Sequence, residues 1–114
     1  MTEQDLEKEV KLMKEMRNEL AKVTTVRDKL SNQLNETNMV MSELKLLTHD
    51  STVYKMVGPA LIKQSTKDSQ ENVKRRGEYL TAEIERHEKI IKSHDEKLTN
   101  HTKKINELQA KLKS

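Results

Sequence analysis

The 114-residue chain has no cysteine, no phenylalanine and no tryptophan, and it has only two tyrosines. The lack of cysteine excludes a disulfide framework and thiol chemistry. The near absence of aromatic side chains removes most of the residues that usually dominate a compact core. Only 32% of the chain is hydrophobic and 36% is charged. This composition is typical of a disordered chain or of long helices, and the spacing of the apolar residues decides between them.

The chain also lacks a strong excess of charge of one sign and a long hydrophobic run. Its 22 basic and 19 acidic residues are interleaved, which is too balanced for a nucleic-acid-binding surface. The short basic run Lys74-Arg75-Arg76 is interpreted as an exposed helical turn. No run approaches the roughly 18 apolar residues of a transmembrane helix, and the N-terminus is acidic where a targeting peptide would be basic. We therefore expect a soluble, intracellular protein that binds neither nucleic acid nor membrane.

Glycine and proline are scarce, and residues 3–47 contain neither. Steps of three and four residues from Leu6 reach twelve positions, ending at Leu44. Nine of these are Leu, Val or Met, and the exceptions are Glu9, Arg27 and Thr37. The spacing predicts one uninterrupted helix over 3–47 with an apolar seam.

A second seam begins at Val73 and follows the same spacing to Leu112. Eight of its twelve positions are Val, Leu or Ile, and the others are Gly77, His87, His94 and His101. The pattern predicts a helix over about 69–112, capped by Asp68 with Glu71 or by Ser69. Two long helices of matched length joined by about 20 residues should form an antiparallel coiled coil within one domain, 1–114.

The seams do not fix their own alignment. One alignment places Leu44 opposite Gly77, Leu20 opposite His101 and Arg27 opposite His94. An alignment shifted by one heptad is the alternative. The histidine spacing of seven residues corresponds to about 10.5 Å of rise, too far for neighbouring rings to share a metal ion, so we interpret them as seam residues.

The connecting segment, about residues 52–64, has the composition of a β-hairpin centred on Gly58-Pro59. Its alternation is imperfect, since Val53 and Val57 point one way while Tyr54 and Met56 point the other. A lone two-stranded hairpin is marginal in water, and one with two apolar faces and open edges favours association. We predict that it assembles with equivalent hairpins into a shared sheet or β-barrel. The assembly residues would be Val53, Tyr54, Met56, Val57, Gly58, Pro59, Leu61 and Ile62.

The hairpin string VYKMVGPALIKQ, from Val53 to Gln64, closely resembles the hairpin of β-type prefoldin subunits. The segments from Asn35 to Leu44 and from Asn72 to Glu83 resemble the family's approach to the hairpin and its opening of the second helix. The resemblance covers roughly residues 10–110, and its specific part is 33–88. A single hairpin between the helices resembles the β type, because the α type carries two.

This resemblance implies a hexamer of two α-type and four β-type subunits, whose hairpins form paired β-barrels and whose coiled coils project from them. It also implies that the complex binds unfolded proteins of the actin and tubulin type at the coiled-coil tips. The complex would deliver them to the cytosolic group II chaperonin without ATP. These partners are expectations from the resemblance, and we expect neither a cofactor nor a metal ion.

In such a subunit the distal end comprises residues 1–16 and 102–114. Apolar seam residues there should have few partners, and we predict that partly exposed ones bind hydrophobic segments of clients. The alternative is that they only close the coil. The predicted client-binding residues are Leu6, Val10, Met13, Ile105, Leu108 and Leu112.

No catalytic constellation is recognisable, since the chain has no thiol, no glycine-rich phosphate loop and no serine or histidine paired with an orienting acid in a pocket-forming fold. We therefore do not expect an enzyme. The alternative to a chaperone subunit is a structural coiled-coil adaptor that binds one specific partner.

Overall fold

The computed structural model describes residues 3–47 and 51–113. Helix α1 spans Glu3–Lys45, strand β1 spans Val53–Val57, strand β2 spans Ala60–Gln64 and helix α2 spans Thr66–Lys113. The two strands form one antiparallel hairpin. The predicted fold class, two long helices joined by one β-hairpin, is therefore confirmed.

Helix α1 follows the predicted seam closely. All twelve seam positions from Leu6 to Leu44 are buried or half-buried, including the polar Glu9, Arg27 and Thr37. The first turn carries acidic residues and the last turn carries Lys45, which complements the partial charges at the two helix ends. The helix ends at Lys45, two residues before the predicted end.

Helix α2 begins at Thr66, three residues before the predicted start, because Ser65 caps it. The backbone N–H of Asp68 donates a hydrogen bond to Oγ of Ser65, with the two atoms 3.0 Å apart. A serine hydroxyl that accepts from the third helical residue satisfies a donor that the helix itself leaves free. The predicted caps are therefore wrong: Asp68 lies in the first turn, and Ser69 is buried inside the helix.

The chain divides into two compact units. The unit that contains residues 29–84 carries the hairpin and is called the hairpin unit. Within it, Nε2 of Gln70 donates a hydrogen bond to the carbonyl oxygen of Leu44 over 3.2 Å. Leu80 is only 2% exposed and is the most buried side chain of this unit. The helices of the hairpin unit thus pack antiparallel around Leu44 and Leu80.

The other unit contains residues 1–28 and 85–114 and is called the distal unit. Its helical segments also run antiparallel, because residues near the start of α1 contact residues near the end of α2. The Thr102 hydroxyl lies 3.7 Å from Sδ of Met13. Among the described residues of this unit, Ile105 and Leu108 are the buried apolar ones.

Contacts within each of the two units indicate the same alignment of the seams. In the hairpin unit Gly77 lies against Thr37, one heptad before the Leu44 that we had placed opposite it. In the distal unit Thr102, next to His101, contacts Met13, one heptad before Leu20. The first alignment is therefore wrong and the alternative, shifted by one heptad, is right. The apolar pattern repeats every seven residues, so it could not distinguish them.

Candidate binding surfaces of the hairpin and the distal end

The hairpin turn consists of two residues, Gly58 and Pro59. Gly58 has a φ of 57°, a left-handed conformation that costs residues with a Cβ about 1–2 kcal/mol. Proline follows with its fixed φ and no N–H to donate. A positive φ at the first of two turn residues is the pattern of type II′ turns, whose twist suits a tight hairpin.

The strand register assigns each side chain to a face. Met56 pairs with Leu61, and Lys55 pairs with Ile62. Because opposed residues share a face and successive residues alternate, one face carries Tyr54, Met56, Leu61 and Lys63. The other face carries Val53, Lys55, Val57, Ala60, Ile62 and Gln64. Each face is thus a mixture of apolar and polar side chains, as the sequence predicted.

Most of these apolar side chains are exposed. Met56 is 74% exposed and Leu61 is 64% exposed, and Tyr54, Val57 and Ile62 are exposed by half or more. Only Val53 and Gln64, at the base of the hairpin, are half-buried. An apolar surface of this kind on a two-stranded sheet is typical of an interaction site.

A groove of about 380 Å³ lies between the hairpin and the helices, inside the hairpin unit. Leu44, Val53 and Val73 contribute apolar side chains to it, and Lys55 and Arg76 are its charged residues. Val40 lines it as well and is exposed. Sequence reasoning restricted the predicted assembly surface to the hairpin and did not identify this groove, which Val40 and Arg76 help to line. The signal was weak, because Val40 lies off the seam of α1.

The predicted client-binding residues fall into three groups. Leu6, Val10 and Met13 are half-buried. Ile105 and Leu108 are buried, contrary to the expectation that they are partly exposed. Leu112 is exposed, at 43%. Of the predicted distal end, residues 1, 2 and 114 lie outside the described residues.

Leu6 and Val10 line a shallow groove on α1, of about 310 Å³. Its other lining residues are Glu7, Lys11 and Lys14. The long lysine side chains carry apolar stems beneath their charges. The groove therefore offers an apolar floor with a charged rim, whereas Ile105 and Leu108 offer nothing on the surface of the closed coil.

Three polar side chains form a compact group in the distal unit, which we call the Glu9 cluster. Oε2 of Glu9 lies 2.9 Å from Nδ1 of His101, and Oε1 of Glu9 lies 2.9 Å from Nζ of Lys104. The ammonium of Lys104 and then the imidazole of His101 hold the pKa of the Glu9 carboxyl below its usual range. An ionised carboxylate only accepts hydrogen bonds, so Nδ1 of His101 carries the hydrogen in this pair.

The seam residue His94 does not repeat this arrangement. Nδ1 of His94, one heptad before His101, is buried and has no hydrogen-bond partner within residues 3–47 and 51–113. Among those same residues no group of three or more acidic or histidine side chains is placed to hold a metal ion. Sequence reasoning treated Glu9 only as a gap in the apolar seam. Its partnership with His101 and Lys104 required the correct alignment.

The described helices contain no segment long and apolar enough to cross a lipid bilayer. The exposed large apolar side chains are distributed unevenly between the two units. Within the described residues, Leu12, Val26 and Leu112 are the exposed large apolar side chains of the distal unit. The other ten lie in the hairpin unit.

Comparison with known protein families gives a match along almost the whole chain. Residues 3–112 match the profile of the family described as Prefoldin subunit. The protein named Prefoldin subunit 6 of Arabidopsis thaliana is 35% identical over 112 residues, which cover 98% of this chain and 87% of that protein. Prefoldin subunit 6 of Homo sapiens is 36% identical over 92 residues, which cover 81% of this chain and 71% of that protein.

Solved structures agree at the level of the fold. The prefoldin beta subunit from Thermococcus strain KS-1 superimposes with a TM-score of 0.87 at 23% identity, covering 91% of each chain. The prefoldin beta2 subunit from the same strain superimposes with a TM-score of 0.73 at 22% identity, covering 81% of this chain and 98% of that one. At these identities the likeness describes the arrangement of helices and hairpin.

Proposed function

The chain belongs to the prefoldin family, and from this membership we propose that it is one arm of a hetero-hexameric co-chaperone that holds unfolded polypeptides. Membership makes it a subunit of a prefoldin co-chaperone. The similarity to proteins named Prefoldin subunit 6 supports the corresponding place in the hexamer. Binding of actin and tubulin, delivery to the cytosolic group II chaperonin, independence of ATP and location in the cytoplasm are further parts of the proposal, drawn from the family resemblance.

The exposed hairpin carries the proposal that the chain assembles with other subunits. Tyr54, Met56, Val57, Leu61 and Ile62 all stand exposed on a sheet of only two strands. Pairing with the hairpins of neighbouring α-type and β-type subunits would bury both faces and satisfy the open strand edges. Such assembly produces the shared β-barrel of the family. The groove beneath the hairpin, with Val40 on its wall, is positioned to widen that interface.

The distal unit supports the proposed binding of unfolded proteins. Leu6, Val10 and Leu112 offer apolar contacts that are not fully buried in the coil, and these suit weak, non-specific binding of hydrophobic segments. Met13 adds an adaptable side chain. Ile105 and Leu108 would join this surface only when the helices separate.

Assembly is tested by mixing the purified chain with the other prefoldin subunits and measuring the mass of the product. The proposal predicts a stable hexamer that contains one copy of this chain. A self-sufficient dimer with no affinity for the other subunits would instead support the structural adaptor.

Client binding is tested in the assembled hexamer with the double substitution Leu6→Ser and Leu112→Ser. We expect a several-fold loss in suppression of the aggregation of unfolded actin, because two distal apolar contacts disappear. The control is Val26→Ser, which removes an exposed apolar side chain outside the predicted distal end. Equal suppression by both variants would contradict the distal site.

A further inference from the structure

Glu9 occupies a position where the coil would ordinarily place an apolar residue. It lies on the seam between Leu6 and Met13, and its side chain is only 17% exposed. A carboxylate in such a place is costly unless it is paired. Helix α2 supplies two partners, Nδ1 of His101 and Nζ of Lys104, each at 2.9 Å from a different oxygen of Glu9.

The cluster lies next to the most buried residues of the distal unit. Lys104 directly precedes Ile105, and Leu108 follows one helical turn later. Ile105 and Leu108 are each less than a tenth exposed. Leu112, one turn further along α2, is exposed again. Along α2, the Glu9 cluster and these two buried residues are thus the last part of the seam that is closed.

The pairing of Glu9 stabilises the closed state of the distal unit, in which the helices are in contact, more than the open state, in which they are apart. When the helices separate, Glu9 loses two charge-assisted hydrogen bonds, and Ile105 and Leu108 become accessible to water. An ion pair at a fully exposed position would contribute little, and Lys104 itself is 52% exposed. The contact with His101 is different, because both of its side chains are at least three-quarters buried.

We propose that Glu9 is a latch for the distal end: through His101 and Lys104 it holds α1 and α2 together, and Ile105 and Leu108 become accessible only when it opens. In the closed distal unit the side chains of Ile105 and Leu108 are buried. Fraying of the helix end would expose them, and the latch controls that fraying.

The test uses the full chain in its hexamer and takes advantage of the absence of native cysteine. A single Leu108→Cys substitution reports opening through its rate of reaction with a maleimide, and Ile105→Cys serves as a second reporter. Each reporter is combined with Glu9→Gln, which keeps the shape of the side chain and removes its charge. Glu15→Gln, at an exposed position of the same helix, is the matched control.

We expect Glu9→Gln to accelerate labelling at position 108 or 105 several-fold, and Glu15→Gln to leave it unchanged. A third reporter, Leu80→Cys in the hairpin unit, should be unaffected by Glu9→Gln. Equal labelling rates with and without Glu9→Gln would overturn the latch. Faster labelling at position 80 as well would also overturn it, because the substitution would then act on the whole protein.

A consequence for client binding rests on the proposed function. If Ile105 and Leu108 bind clients after opening, Glu9→Gln should increase the amount of unfolded actin that the hexamer retains. Faster labelling without greater retention would support the latch and count against these two residues as client contacts. A hexamer that retains no client even without the substitution would contradict the proposed function, while the labelling result would still stand.

Discussion

The hairpin unit and the distal unit use one kind of seam in different ways. The hairpin unit buries Leu44 and Leu80 between its helices and leaves the apolar side chains of the hairpin exposed. The distal unit buries Ile105 and Leu108 and places the charged Glu9 cluster beside them. A surface that is always exposed suits permanent assembly, whereas one closed by a few contacts suits reversible binding. The hairpin surface consists of apolar side chains that no part of the described chain covers. The distal surface consists of side chains that the chain itself covers.

The largest effect should come from making the hairpin polar. Val57→Lys and Ile62→Lys place two ammonium groups on one face of the hairpin. The desolvation penalty of burying these charges in a shared sheet would exceed the stabilisation that assembly provides. We expect complete loss of the hexamer with full helical content, measured by mass and circular dichroism. The control, Ser93→Lys with Asn100→Lys, adds the same charge at exposed positions of the distal unit. A hexamer that survives the hairpin substitutions would remove the hairpin from the assembly surface.

Truncation of a buried leucine should lower the free energy of unfolding more in the hairpin unit than in the distal unit. Leu80→Ala leaves a cavity at the most buried side chain and should lower the free energy of unfolding by about 2–5 kcal/mol. Leu108→Ala should cost less, about 1–2 kcal/mol, because the end of a helix can fray without unfolding the rest. Denaturant titration of the hexamer gives both values. Equal losses would mean that the distal end unfolds only together with the hairpin unit.

The course of the seams was predictable from the sequence because apolar spacing reports helical periodicity directly. Even the polar exceptions Glu9, Arg27 and Thr37 lie on the buried side of α1. The alignment was not predictable, since shifting by a heptad exchanges one apolar pair for another. Gly77 illustrates the difficulty, because a position opposite Leu44 or Thr37 would satisfy the pattern equally, and only the observed proximity of Gly77 to the Thr37 methyl distinguishes them in this unit.

The candidate sites divide in the same way. The exposed hairpin followed from its composition, because residues of both of its faces are apolar and a hairpin cannot bury them itself. The burial of Ile105 and Leu108 did not follow, since the exposure of a seam residue depends on how far the opposite helix extends past it. The start of α2 was also missed, because Ser65 lies outside the apolar pattern and its role as a cap depends on a single hydrogen bond.

The two glycines of the hairpin unit should respond with opposite signs to alanine. Gly58→Ala places a Cβ at a φ of 57° and should lower the free energy of unfolding by about 1–2 kcal/mol. Gly77→Ala places its Cβ 3.8 Å from Cγ2 of Thr37, an ordinary contact, and should raise it by about 0.5–1 kcal/mol through better helix propensity. Denaturant titration measures both changes. Gly58→Asn should cost less than alanine, since asparagine tolerates the left-handed region.

The smallest effect concerns the seam histidines of the distal unit. His94→Leu replaces a ring whose buried Nδ1 has no partner among the described residues with an apolar side chain, and should raise the free energy of unfolding by about 1 kcal/mol. His101→Leu should have the opposite sign, because it leaves the carboxylate of Glu9 with Lys104 alone. The midpoint of thermal unfolding measures both variants. If the two substitutions shift it in the same direction, the histidines serve only as spacers in the seam, and the distinction between a satisfied and an unsatisfied ring has no energetic meaning in this unit.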